Sequence, residues 1–278
     1  MYLIRGKHNL ELFKKLYKDT KLHATIGNFD GLHKGHQSIL SKIKKRAEET
    51  NASSIVFFTE PHASEYFAIS TNTYAEAPPR ICPWRKKFEL LEEYGINFAF
   101  FLKFNSSLRK MTPETFISDI LEPVGLLSLT VGDDFRFGAN RAGDFQLLRE
   151  WGSKNNIDVT NTETYLHLNE RVSSTRIRKA LLENNFSLAK ELLGRPYTFA
   201  GKVVHGQHLG RTIGIPTANI WLPKQKLPIS GVYAVRCSLD NQSIDGIANM
   251  GLRPTVGGSN PVLEVHLFNF DSNIYSKR

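Results

Sequence analysis

The sequence predicts an α/β protein: a doubly wound parallel sheet with helices on both faces, followed by a small antiparallel β-barrel domain. Three observations carry this. Up to about residue 185, short and continuously apolar runs alternate with segments of helical period, the pattern of βαβ units. Beyond it come short β-rich runs punctuated by Gly and Pro, with no convincing helix between them. The length of 278 residues, 41% apolar, suits one or two globular domains that need no disulfide or metal staple.

Taken in order, Ala24 to Ile26 end a short apolar run, and Gly35 to Thr50 read as a helix with Ile39, Leu40, Ile43 and Ala47 on one face. Ser54 to Phe58 is a solid apolar strand, the kind buried on both faces of a parallel sheet. Pro83 to Tyr94 reads as a helix and Phe98 to Leu102 as another apolar strand. Thr112-Pro113 opens a further helix with a cap and a first-turn proline, and Leu127 to Val131 is a strand. Ser187 to Leu193 reads as a short helix capped by Ser187 and stopped at Gly194. Thr198 to Val204, Val232 to Leu239, Ser243 to Met250 and Val262 to Phe270 are the β-rich runs. The expected division is therefore 1–185 and 186–278, with the boundary near residues 183 to 188.

The net charge of +9 asks for an anionic partner, but the basic residues are scattered, which fits small phosphorylated ligands as well as nucleic acid. Lys42, Lys44, Lys45 and Arg46 read as the solvated face of a helix. Cys82 and Cys237 have no metal-ligand spacing and read as reduced thiols. No stretch approaches about 18 consecutive apolar residues and the start lacks a signal-peptide pattern, so a cytoplasmic protein without a membrane partner is expected.

The run GNFDGLHKGH, Gly27 to His36, falls where a strand ends and a helix begins, the place where open α/β sheets bind ligands. Gly27, Gly31 and Gly35 let the backbone approach a phosphate, and the helix start offers free N–H groups to an anion. His33 and His36, three apart, can both face it and stabilise charge on a phosphoryl group. Two histidines without a third ligand do not make a zinc site, and no GxxxxGK[ST] is present. VSSTRIRKALLENN, from Val172, sets Ser173, Ser174 and Thr175 at a second helix start, with Arg176 and Arg178 beside them.

With these two motifs on the page, the N-terminal part resembles the H-x-G-H nucleotidyltransferase superfamily and, more narrowly, the FMN adenylyltransferase module of bacterial bifunctional riboflavin kinase/FMN adenylyltransferase. The runs that carry the resemblance are GNFDGLHKGH, FFTEPH (Phe57 to His62), VGDDFRFG (Val131 to Gly138), AGDF (Ala142 to Phe145) and VSSTRIR. It implies that His33 and His36 contact ATP phosphates on a turn made with Gly27, Asn28, Phe29, Asp30 and Gly35, while Ser174, Thr175 and Arg178 close over them. It implies a flavin and adenine pocket formed with Glu60, Pro61, His62, Asp133, Asp134, Phe135 and Arg136. In that family the phosphate of FMN attacks the α-phosphate of ATP and pyrophosphate leaves, with Mg²⁺ present. The stretch Ala77 to Arg85 is richer in proline than that family's usual approach to the helix after it.

A second constellation begins at Gly201. Glycines at 201, 206, 210 and 214 precede Pro216, implying a loop whose backbone comes close to a phosphate. Thr217 and Asn219 then present oxygens on one side of an extended segment, a pair suited to Mg²⁺. In VLEVHLFNF, Glu264 shares a face with Val262, His266 and Phe268, and a carboxylate on an apolar face fits a general base of raised pKa. Together, GRTIGIPTAN, GVYAV, GIANMGLRPTV and LEVHLFNF resemble the riboflavin kinase module of the same family, from about residue 196 onward. The resemblance implies a phosphate loop with Gly206, Gly210, Arg211 and Gly214, Mg²⁺ and phosphate on Thr217 and Asn219, and Glu264 deprotonating the riboflavin 5′-hydroxyl. That module normally continues past SKR with a closing strand and a helix, so the expectation is full adenylyl transfer beside weak or absent kinase activity, the barrel then binding flavin without turnover. The expected ligands are ATP, Mg²⁺, riboflavin, FMN and FAD. A monomer or weak homo-oligomer is expected, with no nucleic-acid partner. The competing readings are an H-x-G-H adenylyltransferase with another phosphorylated acceptor and a non-catalytic flavin- or RNA-binding regulator.

Overall fold

The computed structural model describes residues 1–73, 77–206, 215–222, 226–240, 242–255 and 258–277. It falls into two compact units. The first comprises Met1–Pro78, Trp84–Arg176 and Leu192–Gly194, and the second Pro79–Pro83, Ile177–Glu191 and Arg195–Arg278.

The first unit holds β1 (Tyr2–Arg5), α1 (Gly6–Leu16), β2 (Leu22–Ile26), α2 (Lys34–Glu49), β3 (Ser53–Glu60), α3 (Ala63–Ser70), α4 (Trp84–Glu93), β4 (Phe98–Lys103), α5 (Ser106–Lys110), α6 (Pro113–Phe116), β5 (Leu126–Gly132), α7 (Phe145–Lys154) and β6 (Asp158–Thr162). A two-stranded hairpin, β7 (Leu166–His167) and β8 (Glu170–Arg171), follows. Among the described residues the main sheet has the order β1-β4-β3-β2-β5-β6, and every neighbouring pair in it is parallel.

The alternation along β3 shows why this sheet is covered on both faces. Ile55 and Phe57 enter one core with Leu10 and Phe13 of α1 and Leu148 and Trp151 of α7. Val56 and Phe58 enter the other with Leu40 and Ile43 of α2 and Leu90 and Leu91 of α4. Burying both faces is what a continuous apolar run such as SIVFF is for. The chain winds outward from β2 through β3 to β4, then crosses to β5 on the other side of β2. The crevice between the carboxyl ends of β2 and β5 is therefore the topological switch point, where such sheets bind ligands.

Several local expectations are corrected. α2 starts at Lys34, one residue early, because His33 caps it. The helix opened by Thr112 is short: α6 passes into a wider π turn over Ile117–Leu121. α9 (Phe186–Leu193), which follows α8 (Ser174–Leu182), is capped by Asn185, whose Oδ1 accepts the Leu188 N–H at 3.0 Å, and not by Ser187. Gly194 takes the left-handed φ of +72° that ends it.

The second unit is antiparallel and strand-rich, of the small-barrel type: β9 (Val203–Val204), β10 (Ala218–Ile220), β11 (Gly231–Leu239), β12 (Gln242–Thr255) and β13 (Gly258–Leu267). The order is β11-β12-β13-β10-β9, around a core of Leu222, Ala248, Met250, Leu263 and Val265. The run from Thr198 is strand only at Val203 and Val204, where Val203 also exchanges backbone bonds with Ser276 and Lys277.

Candidate functional site

The sequence after β2 leaves the strand through three residues of positive φ: Phe29 at 49°, Gly31 at 79° and Leu32 at 40°. Such a backbone is strained for Phe and Leu, so packing must hold it. Phe29 and Leu32 are fully buried in the core beside α2 and α4. Gly27 donates to the Phe57 carbonyl at 3.1 Å, and Asn28 Oδ1 accepts from the Thr59 hydroxyl at 2.8 Å, so β3 clamps the start of the turn. Gln37 clamps its end, its Nε2 donating to Leu32 O at 2.8 Å and Leu193 O at 2.7 Å.

His33 is buried and caps α2: its Nδ1 accepts the backbone N–H of His36 at 3.3 Å. A nitrogen that accepts carries no proton, so neutral His33 has its proton on Nε2. The two imidazoles stack with centroids 3.6 Å apart and planes at 17°, and the Phe29 ring lies 4.9 Å from His36. Burial first, then the neighbouring His33 and Lys87, hold His36 well below the ordinary imidazole range. The pair thus presents neutral donors at the first turn of a helix, where free N–H groups and dipole favour an anion. A Cβ on Gly35 would stand 3.2 Å from the His33 ring, a tight contact that the imidazole would have to yield to by a few tenths of an ångström.

The second helix start comes to the same turn. Ser174 donates from its hydroxyl to Asp30 O at 3.0 Å, and Val172 O lies by Gly35. Asp30 itself is buried. Ser173 is the cap of α8, accepting from Arg176 N at 3.2 Å, and Thr175 is exposed on its first turn. Arg178 donates from Nε to Pro79 O at 2.6 Å.

Asp133 to Arg136 leave the end of β5, across the switch point from the turn. Asp133 accepts from Thr164 Oγ1 and, at 3.0 Å, from Arg171 Nη2, which also stands 3.1 Å from Asp134. The Thr164 hydroxyl chiefly, with Arg171, holds the Asp133 carboxyl below its usual range. Phe135 stacks on Phe137 at 5.7 Å, and Arg136 donates to Phe135 O at 3.2 Å. Glu60 closes β3, and Pro61 follows it. His62 spends Nδ1 on a helix cap, accepting from Ser64 N at 3.1 Å in a capping box with Glu65.

In the second unit, Asn219 and Glu264 are direct cross-strand partners of β10 and β13. His266 Nδ1 meets Pro216 O at 2.8 Å, holding the segment that carries Thr217. Gly206 presses on Asn219: a Cβ there would lie 2.3 Å from its amide nitrogen. Gly210, Arg211 and Gly214 lie outside the described residues. Leu263 and Val265 take the buried face of β13, and Glu264 lies half-buried on the other face with Val262 and His266.

Sequence reasoning missed Lys87, Gln37 and Arg171. Lys87 had a signal, since it shares a helical face with Leu90 and Leu91.

An all-parallel doubly wound sheet with an H-x-G-H turn at its switch point defines an α/β nucleotidyltransferase-like domain. The FAD synthetase family matches residues 16–176, and the riboflavin kinase family residues 193–278. A bifunctional riboflavin kinase/FMN adenylyltransferase of Escherichia coli strain K12 is 41% identical over 279 residues, spanning 100% of this chain and 86% of the relative. That of Pseudomonas fluorescens is 42% identical over 280 residues, with 100% and 86% covered. A solved structure described as a macrolide-efflux protein from Streptococcus pneumoniae superposes with a TM-score of 0.76 at 27% identity, over 100% of this chain and 88% of that one. Among the described residues no helix is long and apolar enough to cross a membrane. The chain belongs to the bifunctional riboflavin kinase/FMN adenylyltransferase family.

Proposed function

We propose that this protein makes FAD in two ATP-dependent steps, phosphorylating riboflavin to FMN and adenylylating FMN. The observation that carries the second step is the stacked His33–His36 pair at the switch-point turn, held neutral and set at a helix start. In it an oxygen of the FMN phosphate attacks the α-phosphorus of ATP, and the bond to the β-phosphate oxygen breaks to release pyrophosphate. The protein's part is positioning and charge stabilisation. His33 and His36 donate to the phosphates, and Ser174 and Thr175 approach from the second helix start. The flavin and adenine lie by Glu60 to His62 and Asp133 to Arg136.

For the first step, Glu264 takes the proton of the riboflavin 5′-hydroxyl as its oxygen attacks the γ-phosphorus and ADP leaves. The donor set fits Mg²⁺: Thr217 and Asn219 supply neutral oxygens beside the Glu264 carboxylate, and the close pass of Gly206 fixes the Asn219 amide. Bound there with ATP, Mg²⁺ supplies charge neutralisation. A chromatographic assay with ATP and Mg²⁺, started once from riboflavin and once from FMN, tests both steps. FAD from neither substrate refutes the reading, while FAD from FMN alone leaves only the transferase.

A further inference from the structure

Past β13 the chain folds back onto the first strand of its own unit. Asn273 Oδ1 accepts the Tyr275 N–H at 3.1 Å and Ile274 O accepts the Lys277 N–H at 3.1 Å, so residues 273–277 form one tight turn. Within it Ser276 takes a left-handed φ of 67°, a conformation that persists in a residue with a Cβ only where its surroundings impose it. The surroundings are β9: the Val203 N–H donates to Lys277 O at 2.8 Å, and the Ser276 N–H donates to Val203 O at 3.0 Å. Lys277 also pairs with Asp240, in the turn after β11. These bonds set the Tyr275 ring flat on the His205 imidazole, with centroids 3.9 Å apart and planes at 22°.

His205 lies between β9 and Gly206. Val204 is the register partner of Asn219 across β9 and β10, so the backbone passes over the Asn219 side chain directly after pairing with its main chain. The pass is close: a Cβ on Gly206 would lie 2.3 Å from Asn219 Nδ2 and 2.7 Å from its Oδ1. A glycine admits the approach but, having no side chain and the widest choice of φ and ψ, does nothing to hold it. A ring stacked on the preceding residue does, since flat aromatic contacts fix position as well as burying area.

We propose that Tyr275 is a positioning residue of the kinase site: its ring, stacked on His205, holds the backbone at Gly206 against Asn219 and so fixes the amide that would meet Mg²⁺ and phosphate. The work is assigned to the ring, so phenylalanine should replace tyrosine. A small residue should not, because the backbone bonds of 276 and 277 hold the turn to β9 without reaching His205.

This inference rests on the reading of Asn219 as part of the kinase site, and the test separates the two. The full chain is labelled with ¹³C-glycine and ¹⁵N-asparagine, without nucleotide or metal. NOEs from the Gly206 α-protons to the Asn219 side-chain amide are read in the wild type, Y275F, Y275A and H205A. Riboflavin phosphorylation is followed on the same preparations through a Mg²⁺ series. We expect the NOE in the wild type and Y275F and its loss in Y275A and H205A. In those two variants FMN formation should fall about 10-fold or more, toward the roughly 10²-fold that a 1 Å misplacement can cost, and half-maximal rate should need more Mg²⁺. A merely structural Tyr275 would lower the unfolding midpoint and leave the NOE and the Mg²⁺ requirement alone. H205A removes the other half of the stack and decides by itself if Y275A does not fold. An NOE that survives in Y275A or H205A, an unchanged Mg²⁺ requirement in them, or a Y275F that behaves as Y275A overturns the inference. A wild type that makes no FMN from riboflavin refutes the function instead, whatever the NOEs show.

Discussion

Replacing Gly206 by alanine should separate the two activities. The added Cβ would stand 2.3 Å from Asn219 Nδ2 and 2.5 Å from its Cγ, against an ordinary contact of about 3.4–4 Å. The amide must move by about 1 Å or more. It is the end of a short side chain on β10, so rotating it is cheap for the fold, and the unfolding free energy should change by no more than about 1 kcal/mol. The cost falls on function, since a misplacement of about 1 Å at a positioning group can reduce a rate by about 10²-fold. Riboflavin phosphorylation and FMN adenylylation would be measured on one preparation, with G251A as control, because a Cβ at Gly251 meets nothing within 4 Å. We expect FMN formation from riboflavin to fall about 10²-fold and FAD formation from FMN to stay as it was. Wild-type kinase activity in G206A would refute the placement of Asn219 in the phosphate and Mg²⁺ site.

H33A should lose the α2 cap, at about 1 kcal/mol, and about 10²–10³-fold of adenylyl transfer; H33N, which keeps a cap acceptor, should recover the stability measured by denaturant but not the rate. The Asp133 carboxyl is depressed, so the anchoring of the β7–β8 hairpin is fully present above the ordinary value of 3.8 and is lost as pH falls below it. T164V should move that loss to higher pH, as read by amide hydrogen exchange at Glu170 and Arg171. His23, lodged between Ser128 Oγ at 2.7 Å and Thr50 Oγ1 at 2.8 Å, is held below the ordinary imidazole value of 6.5, mainly by burial and then by Arg46. The unfolded chain therefore binds the extra proton first, and stability should decline as pH drops through and below 6.5. A thermal-unfolding series should show a weaker decline in H23Q.

The central strands and the histidine turn are legible in the sequence for one reason: burial on both faces leaves apolar runs that no solvent face interrupts. SIVFF and FAFFL are β3 and β4. The edges escape this logic. In β6 only Val159 is buried, so DVTNT offers no apolar pattern, and β1 at the opposite edge is as short. α7 does carry a readable signal, with Asp144 as its cap and Leu148 and Trp151 on one face. At the site, the residue types of GNFDGLHKGH are visible, but the tertiary bonds are not. That Ser174 closes on Asp30 O, or that Arg171 locks Asp133, depends on contacts 144 and 38 residues apart. Lys87 falls between these cases. The helical period puts it on the core face, while its charge argues against that placement until Glu60 is known to lie beside it.

Gln37 ties the histidine turn to a carbonyl that the chain supplies only after α9. The first unit takes back Leu192–Gly194 for this purpose, and a Cβ at Gly194 would touch the Gln37 amide at 3.2 Å. Anyone cutting the transferase free at residue 185 would sever that tie and leave the Leu32 end of the turn held by one side chain with half its partners. A truncation kept through Gly194 retains the clasp, which makes the practical limit of an independent transferase a matter of one glutamine.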